Sequence, residues 1–193
     1  MKRIIIVHGW SGTPEEGWFP WLKKELEAKG FQVIVPQLPD AGKPRIEKWV
    51  PALAAAVGVL DGDTYFVGHS LGCQAIARYL EKLPEGQKAG GAVFVAGFFK
   101  RLTGLGDNPD DRKTDGHWLE TPLNFDKVKS HLPQSIAIFS DDDPFVPLDN
   151  QNDFRNKLSS EIIVEHGMNH FNESSGFFKL PIALESVLKL AQN

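Results

Sequence analysis

Short apolar runs recur along the chain, and they are rich in the β-branched and aromatic residues that favour strands. They lie at Arg3–Val7, Gln32–Val35, Thr64–Val67, Ala92–Ala96, Ser135–Phe139 and Glu161–Glu165. Within these runs the apolar residues are nearly continuous rather than alternating with polar ones. This pattern is typical of strands that are buried on both faces, as in a parallel sheet.

Most segments between these runs carry apolar residues at helical spacing. Trp18, Leu22 and Leu26 form one such stripe, and Gly30 supplies a C-terminal stop. The predicted helices are Trp18–Lys29, Arg45–Val59, Leu71–Leu83, Leu148–Leu158 and Gly176–Leu190. Alternating strands and helices predict a three-layer α/β/α fold with a roughly six-stranded parallel sheet, because right-handed crossovers place helices on both faces.

The segment Gly97–Pro122 follows the fourth predicted strand and differs from the rest. It is rich in glycine and contains an acidic and polar stretch at residues 107–113. Long segments without clear structure are often functional. Two interpretations stay open here, a solvated excursion and a flap that covers a substrate.

Composition narrows the class of protein. The 193 residues fit one domain spanning 1–193, and the net charge of -4 offers no basic surface for nucleic acid. The apolar run Ile4 to Val7 is too short for a membrane helix or a signal peptide, and the single cysteine cannot form an internal disulfide. We therefore expect a cytoplasmic protein with neither nucleic-acid nor membrane partners.

The pentapeptide GHSLG at residues 68–72 carries the strongest chemical signal. It lies between a predicted strand and a predicted helix, where a sharp turn would lift the Ser70 hydroxyl above the sheet. Glycines on both sides remove side chains that would collide with neighbouring backbone. The pattern predicts that Ser70 is a nucleophile.

A serine hydroxyl needs a base to remove its proton and an acid to orient that base. Asp143 follows the fifth strand and is the preferred acid, because Pro144 fixes the backbone after it and Pro147 opens the next helix. Asp141 and Asp142 are its rivals. A charge cluster at a helix N-terminus is the structural alternative for all three carboxylates.

The base should follow the sixth strand, since the expected chain order is Ser, acid, His. His170 is the preferred base there, with His166 as its rival. His166 lies against the strand end and so has less freedom to reach Ser70.

Two backbone N–H groups are needed to hold the oxyanion of a tetrahedral intermediate. Leu71 N–H is one candidate, and Trp10 N–H, in the turn after the first strand, is the other. His69, His117 and His131 do not pair at metal-ligand spacing. His166 and His170 are four residues apart, but they would pair only on a helix, which Gly167 and Asn169 disfavour, so we predict neither a metal nor a cofactor.

With these motifs assembled, the chain resembles the α/β-hydrolase fold over its whole length. More narrowly, it is similar to the small serine hydrolases that include retinoblastoma-binding protein 9 and bacterial YdeN-like proteins. The narrower likeness rests on the short length, the absence of a cap domain, the segment GHWLETP at 116–122 and the motif DPFVP at 143–147. It implies a minimal sheet and the roles of nucleophile for Ser70, base for His170 and acid for Asp143.

One departure from that family concerns partners. Retinoblastoma-binding proteins contact a pocket protein through L-x-C-x-E, and the nearest string here, at residues 71–75, lacks the glutamate. We therefore predict no such partner.

Two classes of function follow. The first is a hydrolase of small carboxylic esters, with thioesters and small amides as further candidate substrates. The second is a binding protein that keeps the fold and has lost efficient turnover. The complete set of candidate catalytic residues favours the hydrolase.

Overall fold

A parallel sheet forms the centre of the computed structural model, which describes residues 1–105 and 109–192. Its strands are β1 Arg3–Val7, β2 Gln32–Ile34, β3 Thr64–His69, β4 Gly91–Val95, β5 Ser135–Ser140 and β6 Glu161–Glu165. They lie in the order β2-β1-β3-β4-β5-β6, and every neighbouring pair is parallel. The predicted α/β fold with a six-stranded parallel sheet is confirmed.

Helices cover both faces of this sheet. One face carries α1 Phe19–Glu27 and α7 Pro181–Gln192, which contact each other. The opposite face carries α2 Ile46–Val57, α3 Leu71–Glu81, α4 Pro109–Glu120, α5 Phe125–His131 and α6 Gln151–Leu158. Within the described ranges, no helix is long and apolar enough to cross a membrane.

The strands send alternate side chains into two separate apolar cores. Ile4 and Ile6 of β1 belong to the core beneath α1 and α7, whereas Ile5 and Val7 belong to the core beneath α2 and α3. All four side chains are fully buried. Burial on both faces explains why apolar residues run on without alternation in the sequence.

Two helices, α4 and α5, lie where the sequence predicts none. Helix α4 lies inside the segment Gly97–Pro122, which the sequence predicts to lack clear structure, and residues 106–108 of that segment lie outside the described residues. It buries only Thr114 and Trp118, so no apolar stripe indicates it. Helix α5 is seven residues long, which is too short for a periodic pattern to develop.

The last helix begins later than predicted. A short 3-10 turn covers Glu173–Ser175, and Gly176 ends it in the left-handed conformation with a φ of 84°. Helix α7 then starts at Pro181, whose ring suits the first helical position because the missing N–H would have no acceptor there.

Candidate active site

The nucleophile candidate lies in a tight turn between β3 and α3. Ser70 has a φ of 53° and a ψ of -120°, a strained conformation for a residue with a side chain. A Cβ on Gly72 would lie 2.3 Å from the Val7 carbonyl oxygen, and one on Gly68 would lie 2.9 Å from the Cys73 nitrogen. The two glycines are therefore what allow the turn to pack against β1 and its own helix.

A chain of hydrogen bonds links this serine to a histidine and an aspartate. His170 Nε2 lies 3.0 Å from Ser70 Oγ, and His170 Nδ1 lies 2.8 Å from Asp143 Oδ2. Because a carboxylate accepts, Nδ1 carries the ring proton and Nε2 is left to accept the hydroxyl proton of Ser70. The three residues come from the carboxyl ends of β3, β5 and β6, the edge at which such sheets bind ligands.

The aspartate is held in place by its own loop. Asp143 Oδ1 accepts from the backbone N–H groups of Phe145 at 2.8 Å and Val146 at 3.0 Å. Its side chain is 2% exposed, and Oδ2 remains for the histidine. The carboxylate is thus oriented before any substrate binds.

The rival residues make a separate set of contacts beside this chain. His166 is exposed, and its Nδ1 lies 2.6 Å from Asp141 Oδ2. That hydrogen bond raises the pKa of His166 and lowers the pKa of Asp141. Asp142 Oδ1 accepts from Ser140 Oγ and from the Asn169 N–H. These side chains join the loops after β5 and β6, while His170 is the histidine that reaches Ser70.

The two predicted oxyanion donors lie in turns beside Ser70. Among the residues that the structure describes, neither the Trp10 N–H nor the Leu71 N–H donates a hydrogen bond. The turn that carries Trp10 is fixed by its neighbours, since Ser11 N–H donates to the Ala41 carbonyl at 2.7 Å and Gly12 N–H donates to the Gly9 carbonyl at 3.1 Å.

A buried histidine also supports this turn. His8 Nε2 accepts from the Leu38 N–H at 3.0 Å, so its proton is on Nδ1, which donates to the Gly9 carbonyl. Burial lowers the pKa of His8, which keeps the ring neutral. The sequence motif after β1 therefore combines a packed histidine with a candidate donor turn.

A cavity of about 280 Å³ opens beside Ser70 and His170. Both Trp10 and Leu71 line it, together with the apolar side chains of Phe98, Leu102, Leu105 and Phe145 and the polar side chains of Ser11, Asp111 and Asn172. Part of the segment Gly97–Pro122 thus forms one wall of the cavity.

The same segment is anchored at its other end. Trp118 Nε1 donates to the Pro44 carbonyl at 3.0 Å, and the buried Arg78 guanidinium donates to the carbonyls of Trp118 and Thr121. The Arg78 bonds satisfy the carbonyl of Trp118, in the last turn of α4, and that of Thr121 just after the helix, where no partner is available within the helix. The wall of the cavity is therefore tied to α3 and to the loop before α2.

Sequence reasoning missed two side chains at this site, His69 and Trp18. His69 Nε2 donates to the His170 carbonyl at 2.8 Å, and Trp18 Nε1 donates to the Phe171 carbonyl at 2.8 Å. The position of His69 directly before Ser70 was the available signal, but nothing in the sequence indicated its distant acceptor.

The chain is similar to known hydrolases in both sequence and structure. The family model described as "Serine hydrolase" matches residues 4–189. The putative hydrolase YdeN of Bacillus subtilis (strain 168) is 36% identical over 185 residues, which cover 95% of this chain and 93% of that protein. Serine hydrolase RBBP9 of Rattus norvegicus is 28% identical over 189 residues, which cover 96% of this chain and 95% of that protein. The crystal structure of the ydeN gene product from B. subtilis has a TM-score of 0.91 and 32% identity, with 100% of both chains covered.

Proposed function

Because the chain belongs to the serine hydrolase family, we propose that it cleaves small carboxylic esters through an acyl-enzyme formed on Ser70. The observation that carries the proposal is the hydrogen-bonded chain from Ser70 through His170 to Asp143 beside a cavity with two free N–H donors. Family membership supports a hydrolase, and the cavity supports a small-molecule substrate.

In the first half of the reaction, Ser70 Oγ attacks the ester carbonyl carbon while His170 Nε2 takes the hydroxyl proton. The carbonyl oxygen becomes an oxyanion, and the N–H groups of Trp10 and Leu71 donate to it. Asp143 stabilises the imidazolium that forms on His170. As the tetrahedral intermediate collapses, the carbon–oxygen bond to the alcohol breaks and His170 returns the proton to the leaving oxygen.

In the second half, water takes the place of the alcohol. His170 removes a proton from this water, the resulting hydroxide attacks the acyl carbon, and the bond to Ser70 Oγ breaks with return of the proton to Ser70. The products are a carboxylic acid and the free enzyme. Thioesters and small amides would follow the same sequence with a thiol or an amine as the leaving group.

The experiment that tests the proposal compares hydrolysis of p-nitrophenyl acetate by the native protein and by Ser70→Ala. The native protein should show a burst of nitrophenolate equal to the enzyme concentration if loss of the acyl group limits turnover. Ser70→Ala should abolish this activity, whereas Ser130→Ala, on the exposed surface of α5, should retain it. Undiminished turnover by Ser70→Ala would exclude Ser70 as the nucleophile.

A panel of esters, thioesters and aminoacyl amides extends the same test to the competing class of function. A folded protein whose Ser70 is labelled by a fluorophosphonate, yet which hydrolyses none of these compounds, would instead be a binding protein that has kept the fold.

A further inference from the structure

The backbone around the candidate base is held by two buried ring donors. His69 Nε2–H donates to the carbonyl of His170, and Trp18 Nε1–H donates to the carbonyl of Phe171, each at 2.8 Å. His69 is 5% exposed and Trp18 is 1% exposed. Both bonds therefore form in a region from which water is excluded, where losing a donor would leave a buried carbonyl unsatisfied.

The backbone from Asn169 to Phe171 has a conformation that depends on support from the rest of the structure. Asn169 has a φ of 46° and Phe171 a φ of 52°, so the residues on both sides of His170 are in the left-handed region. Residues with side chains persist in that region when the surrounding structure determines their conformation. His69, in the turn that carries Ser70, and Trp18, at the start of α1, hold this conformation through their hydrogen bonds.

His69 also closes a ring of contacts with the nucleophile. It is bonded covalently to Ser70, Ser70 Oγ meets His170 Nε2, and the carbonyl of the same His170 accepts from His69. The separation between the nucleophilic oxygen and the base is thereby fixed through both the side chain and the backbone of His170. A displacement of the base of about 1 Å can lower a rate by roughly 100-fold.

We propose that His69 is a positioning residue that holds His170 against Ser70, and that Trp18 assists by fixing the next carbonyl. The inference rests on the proposed hydrolase function, since positioning matters where proton transfer between Ser70 and His170 occurs.

The surroundings of His69 suit this role. The rings of Trp18 and Phe19 contact it edge-on, with centroids 6.0 and 6.1 Å away. Burial lowers the pKa of His69 to about 3, and the neighbouring His170 acts in the same direction, while Asp143 opposes it. A neutral ring is what the mechanism requires here, because a second positive charge would oppose the imidazolium that forms on His170, whose ring centroid is 5.0 Å away.

The test compares variants that keep or lose the donor. His69→Gln retains an N–H group, whereas His69→Leu removes it, and we expect His69→Leu to lower kcat for a short acyl ester by about 10–100-fold. KM should change little, and the rate of fluorophosphonate labelling at Ser70 should fall in parallel with kcat. His69→Gln should recover most of the loss.

His131 supplies a matched control. It is another buried histidine that donates to a distant carbonyl, that of Gln87 at 2.6 Å, but it lies at the end of α5. His131→Leu should lower the thermal midpoint without changing kcat. If His69→Leu keeps the native kcat, or if His69→Gln loses as much activity as His69→Leu at an equal thermal midpoint, the positioning role is wrong.

A measurement on the native protein keeps the inference testable even where a variant fails to fold. The ring of His69 should give an Nε2–H signal in an imidazole ¹H–¹⁵N correlation spectrum that persists from pH 5 to pH 9, assigned by nuclear Overhauser contacts with the rings of Trp18 and Phe19. A ring that carries its proton on Nδ1, or that becomes charged in this range, would overturn the inference and leave the proposed function standing. Failure of Ser70 to react in the native protein would overturn both.

Discussion

The two nitrogens of the His170 ring have different partners, a hydroxyl on one side and a carboxylate on the other. His170→Ala and Asp143→Asn should each lower kcat/KM for an ester by about 10³–10⁴-fold, because these residues act with Ser70 as a unit. Asp143→Asn should remain folded, since it keeps the oxygen that accepts from Phe145 and Val146. Steady-state ester kinetics with a thermal melt of each variant provide the measurement.

Variants of the rival residues are the controls for this prediction. His166→Ala and Asp141→Asn should have much milder effects, since these side chains contact each other rather than Ser70. Asp142→Asn should also be mild, because the oxygen that accepts from Asn169 N–H remains. A greater loss from His166→Ala than from His170→Ala would contradict the assignment of the base.

The sequence alone favours Asp143 and His170 over their rivals, but it cannot show which of these side chains meet. Asp141, Asp142 and Asp143 all follow the same strand, and His166 and His170 share one loop. Position after a strand predicts which edge of the sheet a residue occupies, but not which way its side chain points. That difference depends on backbone conformations such as the left-handed Asn169, which tertiary contacts impose.

At the scale of elements, the approach of α3 to β1 depends on Gly72. A Cβ at this position would lie 2.3 Å from the Val7 carbonyl oxygen and 2.7 Å from that of His8. Gly72→Ala should therefore destabilise the protein by about 1–3 kcal/mol, the usual range for overpacking a core. Chemical denaturation measures this, with Gly62→Ala as the control, because a Cβ on Gly62 meets no atom within 4 Å. Equal stability of the two variants would contradict the close packing of α3 against β1.

The loops after β5 and β6 are joined by His166 and Asp141, and this contact should depend on pH. The pKa of Asp141 is lowered, so its contribution to stability is present above the unfolded pKa and lost as the pH falls through the folded one. The pKa of His166 is raised, so its contribution is present below the unfolded pKa and lost as the pH rises through the folded one. The ion pair should therefore stabilise the folded protein most between about pH 4 and pH 6.5, which are the pKa values of aspartate and histidine in the unfolded chain.

Thermal melts of the native protein and His166→Gln across pH 3 to pH 9 measure this contribution. The difference in thermal midpoint between the two proteins should be small, since His166 is exposed. It should be largest between about pH 4 and pH 6.5. It should also decrease at high salt. A difference that grows steadily above pH 8 would contradict the ion pair.

The sequence predicts those strands and helices whose buried side chains produce a regular pattern of apolar residues. The sequence predicts every strand to within a few residues, because β1, β3, β4 and β5 are buried on both faces and the edge strands β2 and β6 still carry short apolar runs. Helix α4 was missed since it buries few side chains, and its stability depends on remote groups such as Arg78 and Pro44. A sequence window cannot contain such partners.

At the scale of the whole molecule, we expect the size of the cavity to limit the acyl chain of the proposed ester substrate. The space of about 280 Å³ would admit a short acyl chain, and one wall of it is formed by Phe98, Leu102, Leu105 and Asp111 of the segment Gly97–Pro122. Each added methylene contributes about 0.8 kcal/mol only while it can be buried. We therefore expect kcat/KM to peak at short acyl lengths across a series of p-nitrophenyl esters. Values that keep rising through long chains would mean that this segment rearranges into a larger lipid-binding cover.

Ser70 is proposed as the covalent nucleophile, and the mass of the protein after reaction with a fluorophosphonate, which phosphonylates an activated serine, tests this role directly. We expect a single adduct, located by peptide mapping on the peptide that contains Ser70, and no adduct on folded Ser70→Ala. An adduct that persists on Ser70→Ala, or one that maps to a different peptide of the native protein, would contradict this role of Ser70.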